Sequence, residues 1–312
     1  MVKAKNMSNL SKTSQRTKQI ALTITFAAIY VVLRLTPFSM LIGPTGAYLS
    51  ISDFLPLIYG IILGPYFGGL SVIIGNFTAI GMGRHVMFLG LDFLPDLVAV
   101  VSIGFLFRRK WLPVVLLNAA LLAAFFADPL TSFFVPIPAT TIMVPFAWMH
   151  IAAFVVLLTP LARKAPQWIT SVKQIRDVEK VESTEQTNRL AKIVRKMVNA
   201  IKRTKYLTVG LIIFAFIGTM MQHLTGNLLY EFVYGQMGNP PIIPAELWPT
   251  NWSLIVLVYP VERSILIAAA VLVGTPLIYA IVKNNLVNIG KPPSPDNNSS
   301  KLDVKAKDSK PT

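Results

Sequence analysis

Cysteine is absent from the 312 residues, which excludes disulfides, thiolate metal sites and cysteine nucleophiles together. Charge is scarce: 14% of residues are Asp, Glu, Lys or Arg, against roughly 25% in soluble domains. Histidine is scarcer still, and His85, His150 and His223 stand too far apart for an HExxH zinc motif. The stretch GxxxxGK followed by Ser or Thr does not occur, so no P-loop is present to draw power from ATP. DDxxD, the diphosphate–magnesium grip of a lipid-modifying transferase, is missing too. What remains is apolar, with 54% hydrophobic residues and a mean hydropathy of +0.58. This composition excludes a soluble enzyme and calls for no cofactor.

A spanning helix needs about 20 mainly apolar residues, fewer where it is shielded by neighbours. Eight hydrophobic segments meet that description, at roughly 20–42, 51–64, 66–83, 86–107, 111–127, 142–162, 206–234 and 253–282. The first run continues from Ile20 past Leu35 without a small-residue cleavage site and therefore reads as a helix, not a signal peptide. The expected fold is an all-α polytopic transmembrane helical bundle of six to eight spanning helices with a cytoplasmic amphipathic helix. Its expected parts are a basic cytoplasmic tail (1–19), a first membrane part of about six helices (20–162), a basic cytoplasmic loop (163–205), a second membrane part of two helices (206–285) and a disordered cytoplasmic tail (286–312).

Lysine and arginine fix the orientation, because they are retained on the cytoplasmic side. With both termini cytoplasmic, the inner face collects 26 of the 29 basic residues and seven of the 14 acidic ones, a net of +19. The other three bases, Arg34, Arg84 and Arg263, lie in or beyond the membrane with the remaining seven acids. The basic excess is thus a topology signal in a multi-pass protein of the cell membrane, and nucleic acid is not an expected partner. Within the inner loop, Leu190, Ile193, Val194, Met197, Val198 and Ile201 recur at helical spacing opposite Arg189, Lys192, Arg195, Lys196, Lys202 and Arg203. Such a helix either lies on the anionic leaflet of the lipid bilayer or docks a cytoplasmic partner.

Ionisable groups within a bilayer are functional candidates by default. Here they crowd the outer half. Asp53 opens the second segment; Arg84 and His85 occupy the turn after the third; Asp92 and Asp96 share one face of the fourth at i and i+4. His223, Asn227 and Glu231 climb the seventh at i, i+4 and i+8, next to Gln222, and Glu262 and Arg263 lie two turns inside the eighth. Asn76 is mid-membrane on the third, and Trp252 frames the same face from the loop before the eighth. The inner halves, such as Ala99-Val100-Val101, are dry. A proton or ion path needs titratable groups through the full depth; a pocket open to the outside needs them only above. The alternative use of these residues is to pair internally and hold helices together.

Small residues mark two further features. Ala119, Ala123 and Ala127 form a small-xxx-small stripe on the fifth segment, for packing within the chain or against a partner subunit, while Gly60, Gly64 and Gly68 read as a turn more than a seam. Ser-Asp-Phe-Leu-Pro at 52–56 and Leu-Asp-Phe-Leu-Pro at 91–95 echo each other, and Pro95 is expected to kink or break the fourth helix.

The stretch ISDFLPLIYGIILGPYFGGLSVIIGNFTAIG (51–81), with Leu63-Gly64-Pro65 followed by Gly68-Gly69, resembles the second and third helices of substrate-binding S components of energy-coupling factor (ECF) transporters. YPVERSILIAAAVLVGTPL (259–277) is similar to their last helix. The resemblance implies a membrane protein that binds a vitamin-like small-molecule substrate from outside. It also implies that a transmembrane coupling subunit and cytoplasmic ATPases drive uptake. The family has six helices and carries its small-residue docking motif on the first, where Ala21, Ala27 and Ala28 do not form an AxxxA pattern. The competing reading is a self-sufficient secondary transporter driven by an ion gradient.

Overall fold

The computed structural model describes residues 2–40, 48–170, 189–238 and 240–283. Most of them are helical: α1 (Val2–Arg34), α2 (Pro56–Ile62), α3 (Gly64–Gly81), α4 (Leu94–Phe107), α5 (Trp111–Ala127), α6 (Trp148–Leu158), α7 (Pro160–Thr170), α8 (Arg189–Tyr230) and α9 (Trp248–Lys283). Three helical stretches are long and apolar enough to cross a membrane: Thr17–Arg34, Thr204–Gln236 and Ala245–Ile281. Shorter apolar helices, Ile51–Ile62, Leu94–Phe107, Trp111–Ala127 and Trp148–Leu158, pack among them. The exterior is itself apolar, with Leu116, Val261 and Leu272 among many large hydrophobic side chains left exposed, as expected of a surface made for lipid.

Prolines decide where the apolar segments stop being helical. The first does not run to 42: α1 ends at Arg34, and Thr36-Pro37 turns the chain into β1 (Pro37–Met40), antiparallel to β2 (Tyr48–Ser50). The proline-stiffened stretch 135–145 is a second ribbon, β3 (Phe134–Pro136) against β4 (Met143–Pro145), with Val135 opposite Val144. These two ribbons are the departures from an all-α fold. Pro95 neither kinks nor breaks α4. It stands in the helix's first turn, where its missing N–H is no loss, and the preceding residues 86–93 form a loop with left-handed Leu89 (φ 53°) and Gly90 (φ 90°). Asp92 therefore precedes the helix and does not share a face with Asp96. The sixth segment likewise begins as strand and becomes helix only at Trp148, then breaks at Thr159–Pro160. The basic stretch 189–203 has helical backbone continuous with α8; the faces expected for it, and the tail 286–312, lie outside the described side chains.

Gly60 and Gly68 form a seam, contrary to the reading of a turn. A Cβ on Gly60 would lie 2.6 Å from the Val100 carbonyl oxygen, and one on Gly68 2.8 Å from Val100 Cγ2. Gly104 answers from α4, where a Cβ would stand 2.5 Å from the Pro65 nitrogen. Only Gly64, at φ +78° with the Arg108 guanidinium against it, serves the turn itself. Below and around this seam lies the larger core, which includes Leu57, Ile58, Ile103, Ile217 and Leu266. A second core, rich in aromatics, joins Phe125, Phe146, Tyr234, Trp248 and Trp252. Trp248 and Trp252 are thus interior side chains of α9, buried to 1% and 0% exposure, and Trp252 does not lie in the loop expected for it. The alanine stripe faces outward instead of packing within the chain: Ala123 and Ala127 are exposed and Ala119 is half-buried.

The seam makes a prediction. Gly104→Ala is expected to destabilise the fold by about 1–3 kcal/mol, the range for overpacking against unyielding neighbours. Gly81→Ala, where a Cβ meets open space, serves as the control. Thermal unfolding in detergent reads both, and equal midpoints would refute the close-packing account.

Candidate functional site

The C-terminal ends of α1 and α8, the helical turn Ile51–Phe54 before α2, the loop before α4, and the N-terminal parts of α4 and α9 converge on one cavity of about 100 Å³. A single water occupies roughly 10–15 Å³ on the same scale, so the space suits a solute of several heavy atoms. Asp53, Arg84, Asp92, Asp96, His223, Asn227, Glu262 and Arg263 all line it. Tyr259, Tyr230, Phe88 and Met87 supply the apolar part of the wall.

Beside the cavity one guanidinium serves two acids. Arg34, ending α1, places Nη1 2.5 Å from Asp53 Oδ1 and 3.2 Å from Asp96 Oδ2. Its Nη2 donates to the Asp92 carbonyl oxygen at 3.1 Å. Burial of this ion group, all three side chains being at most 7% exposed, demands that the remaining lone pairs be satisfied. The carboxylates meet much of that demand: the Tyr30 hydroxyl and the Gln222 amide both donate to Asp96, and Ser50 lies 3.3 Å from Asp53 Oδ1, while Arg34 Nε is left without a hydrogen-bond partner. Gln222 also donates to the Asp53 carbonyl at 3.1 Å, tying α8 to the start of α2. Asp92 is spoken for as well, since its carboxylate accepts from the backbone N–H of Met87 at 2.8 Å and of Phe88 at 3.1 Å.

The opposite wall is less complete. Arg263 Nη2 lies 3.4 Å from Glu262 Oε1, and its Nη1 reaches Gln222 Oε1 at 3.4 Å. Arg263 Nε, Glu262 Oε1, Asn227 Nδ2 and Arg84 Nη1 have no hydrogen-bond partner. Next to them His223 stacks on Tyr259, ring centroids 4.8 Å apart, and its Nδ1 lies 3.0 Å from His150 Nε2. Among the described residues, no three His, Cys, Asp or Glu side chains converge as a metal-binding group.

The remaining candidates lie elsewhere. Asn76 is fully buried on α3 with neither amide atom bonded, outside the cavity. His85 is an exposed loop residue. Glu231 accepts from Thr131 Oγ1 at 2.6 Å; the chain winds there into a π-helical turn, Glu231–Gln236, so the i, i+8 spacing from His223 no longer keeps one face. Trp252 donates its Nε1–H to the Leu130 carbonyl at 2.8 Å, within the aromatic core. Conversely, Arg34 and Gln222 are central to the site. Both are polar interruptions of apolar runs, the signal that marked the others; Tyr30 and Tyr259 gave none, because aromatic residues in a membrane helix are ordinary.

No family model matches this chain, and neither a curated protein nor a solved structure matches it.

Removing Arg34 leaves two buried carboxylates without their cation. Arg34→Met is expected to cost about 3–5 kcal/mol, and adding Asp53→Asn and Asp96→Asn is expected to return most of it. Melting curves of the three-site variant against the single one test this; no recovery would mean that the arginine acts through packing alone.

Proposed function

We propose that this chain is a membrane-embedded solute-binding subunit that captures a small, vitamin-like nutrient from outside and catalyses no reaction. Uptake would then be powered by a separate transmembrane coupling subunit and cytoplasmic ATPases, as in the S components that residues 51–81 and 259–277 resemble. The observation carrying this reading is the asymmetry of the interior. Every buried Asp, Glu, Lys or Arg among the described residues belongs to the cavity or its neighbourhood at one end of the bundle: Arg34, Asp53, Asp92, Asp96, Glu231, Glu262 and Arg263. The larger apolar core closes the bundle beyond them. Such a pocket can hold a polar solute, and among the described residues no buried charge lies beyond it to carry the solute across the membrane. The absence of a P-loop from the sequence supports the need for separate ATPases.

Orientation in this reading rests on basic residues. The turn Arg108-Arg109-Lys110 lies at the end away from the cavity, with Arg108 against Gly64 and Tyr66, and Arg163 caps Trp111 at 4.2 Å nearby. Placing that end in the cytoplasm satisfies the positive-inside rule, turns the cavity outward and leaves both termini inside. The short apolar helices then complete a bundle of six to eight spans.

An ion-coupled secondary transporter draws on one observation, the two carboxylates sharing Arg34. The two readings part in reconstituted vesicles. Purified protein is expected to retain a small molecule identifiable by mass spectrometry, and liposomes holding this chain alone are expected to show no proton- or sodium-driven flux of it. Gradient-driven flux would establish the second reading. Protein that neither retains a ligand nor is stabilised by any vitamin would remove the first.

A further inference from the structure

Within the cavity the ionic groups divide into those already satisfied and those not. Asp53 and Asp96 are held by Arg34, with Tyr30 and Gln222 completing the acceptors of Asp96. Asp92 is held by two loop amides. What is left over is Arg34 Nε, Arg84 Nη1, Arg263 Nε and Asn227 Nδ2, all donors, and one acceptor, Glu262 Oε1, which is ion-paired but not hydrogen-bonded. Arg263, Asn227 and Glu262 are at most 6% exposed. A buried polar group without a partner carries its full desolvation penalty, and a cluster of such groups lining a cavity calls for an occupant.

Their kinds define that occupant. Four unpartnered donors, three of them on arginines, ask for an anionic group with several acceptor oxygens, which a carboxylate supplies in the planar form that arginine grips. Counted whole, however, the lining carries Arg34, Arg84 and Arg263 against Asp53, Asp92, Asp96 and Glu262, a formal excess of one negative charge. A free dianion such as phosphate is therefore repelled, and the anion must bring its own cation. The acceptor stands beside the donors, Glu262 Oε1 being ion-paired with Arg263 Nη2 at 3.4 Å while accepting no hydrogen bond. The ligand's opposite charges must be correspondingly close together. Phe88, Tyr230 and Tyr259 in the cavity wall give its body an apolar surround.

We infer that the cavity receives a zwitterion whose carboxylate and cationic nitrogen are near neighbours on an apolar or aromatic body. The carboxylate meets Arg84, Arg263 and Asn227, and the cation meets Glu262. This deepens the receptor reading and rests on it.

Calorimetry and thermal shift on the full chain in detergent test it with a panel of aromatic and aliphatic amino acids. L-phenylalanine, β-phenylethylamine and phenylpropionate form a matched trio, and inorganic phosphate is the anion control. At least one amino acid is expected to bind, with the matched amine and the matched acid each weaker by tenfold or more and phosphate without effect. Arg84→Gln, in a half-buried loop, is expected to weaken the zwitterion about tenfold; Glu262→Gln should weaken it while sparing the acid. An amine or acid that binds as tightly as its zwitterion, competition by phosphate, or silence from every amino acid overturns the inference. Mass spectrometry of the co-purified ligand separates the two levels: a retained solute lacking a carboxylate sinks the zwitterion and leaves the receptor. With no retained solute and no stabilisation, both fail.

Discussion

One guanidinium facing two carboxylates in an apolar surrounding sets the terms for this bundle. Arg34 ends α1, Asp53 opens the helical turn before α2, and Asp96 lies in the first turn of α4. Ions taken out of water are stable only with close partners and no lone pair left idle, so the three backbone ends must arrive together and in one register. Tyr30 and Gln222 complete the arrangement by bonding Asp96 from α1 and α8. The glycine seam serves the same end from below. By letting α2 and α3 close onto α4 at backbone distance, it brings the starts of α2 and α4 near enough to share one cation.

The pocket is what this network leaves beside it. On its wall toward α1 the charges are paired, Arg34 with Asp53 and Asp96, whereas its wall toward α8 and α9 keeps open hydrogen-bonding capacity at Asn227, Glu262 and Arg263. A site divided in this way separates stability from recognition. The satisfied half fixes the scaffold, and the unsatisfied half is free to be selective.

How much of this was legible beforehand depended on direction. Position along the helix axis could be read directly: Asp53, Asp96, Glu262 and Arg263 interrupt apolar runs, and counting residues from the turns gives their depth. Azimuth could not be read so easily. Asn76 has the right depth and faces away from the cavity, because the contact of Gly75 with Ala27 and Tyr30 decides how α3 is rotated. Glu231 kept the right spacing on paper, but a π-helical turn changed the winding at that residue. Trp252 was drawn into the interior by neighbouring rings, Phe146 and Phe125 at 4.7 and 5.8 Å, a preference that local sequence does not encode. The strand ribbons were obscured for a related reason: Pro37, Pro136 and Pro145 announce the end of a helix without saying what replaces it.

Asp92 belongs to two structures at once. Its carboxylate clasps the amides of Met87 and Phe88, while its carbonyl oxygen accepts from Arg34. Tyr234 fastens the same stretch by donating to the Met87 carbonyl at 2.9 Å. The rim of the pocket and its ionic foundation are consequently geared together: swinging the 86–93 segment aside strips an acceptor from the guanidinium at the end of the first helix. Opening the entrance and loosening the anchorage of that helix are, mechanically, a single event.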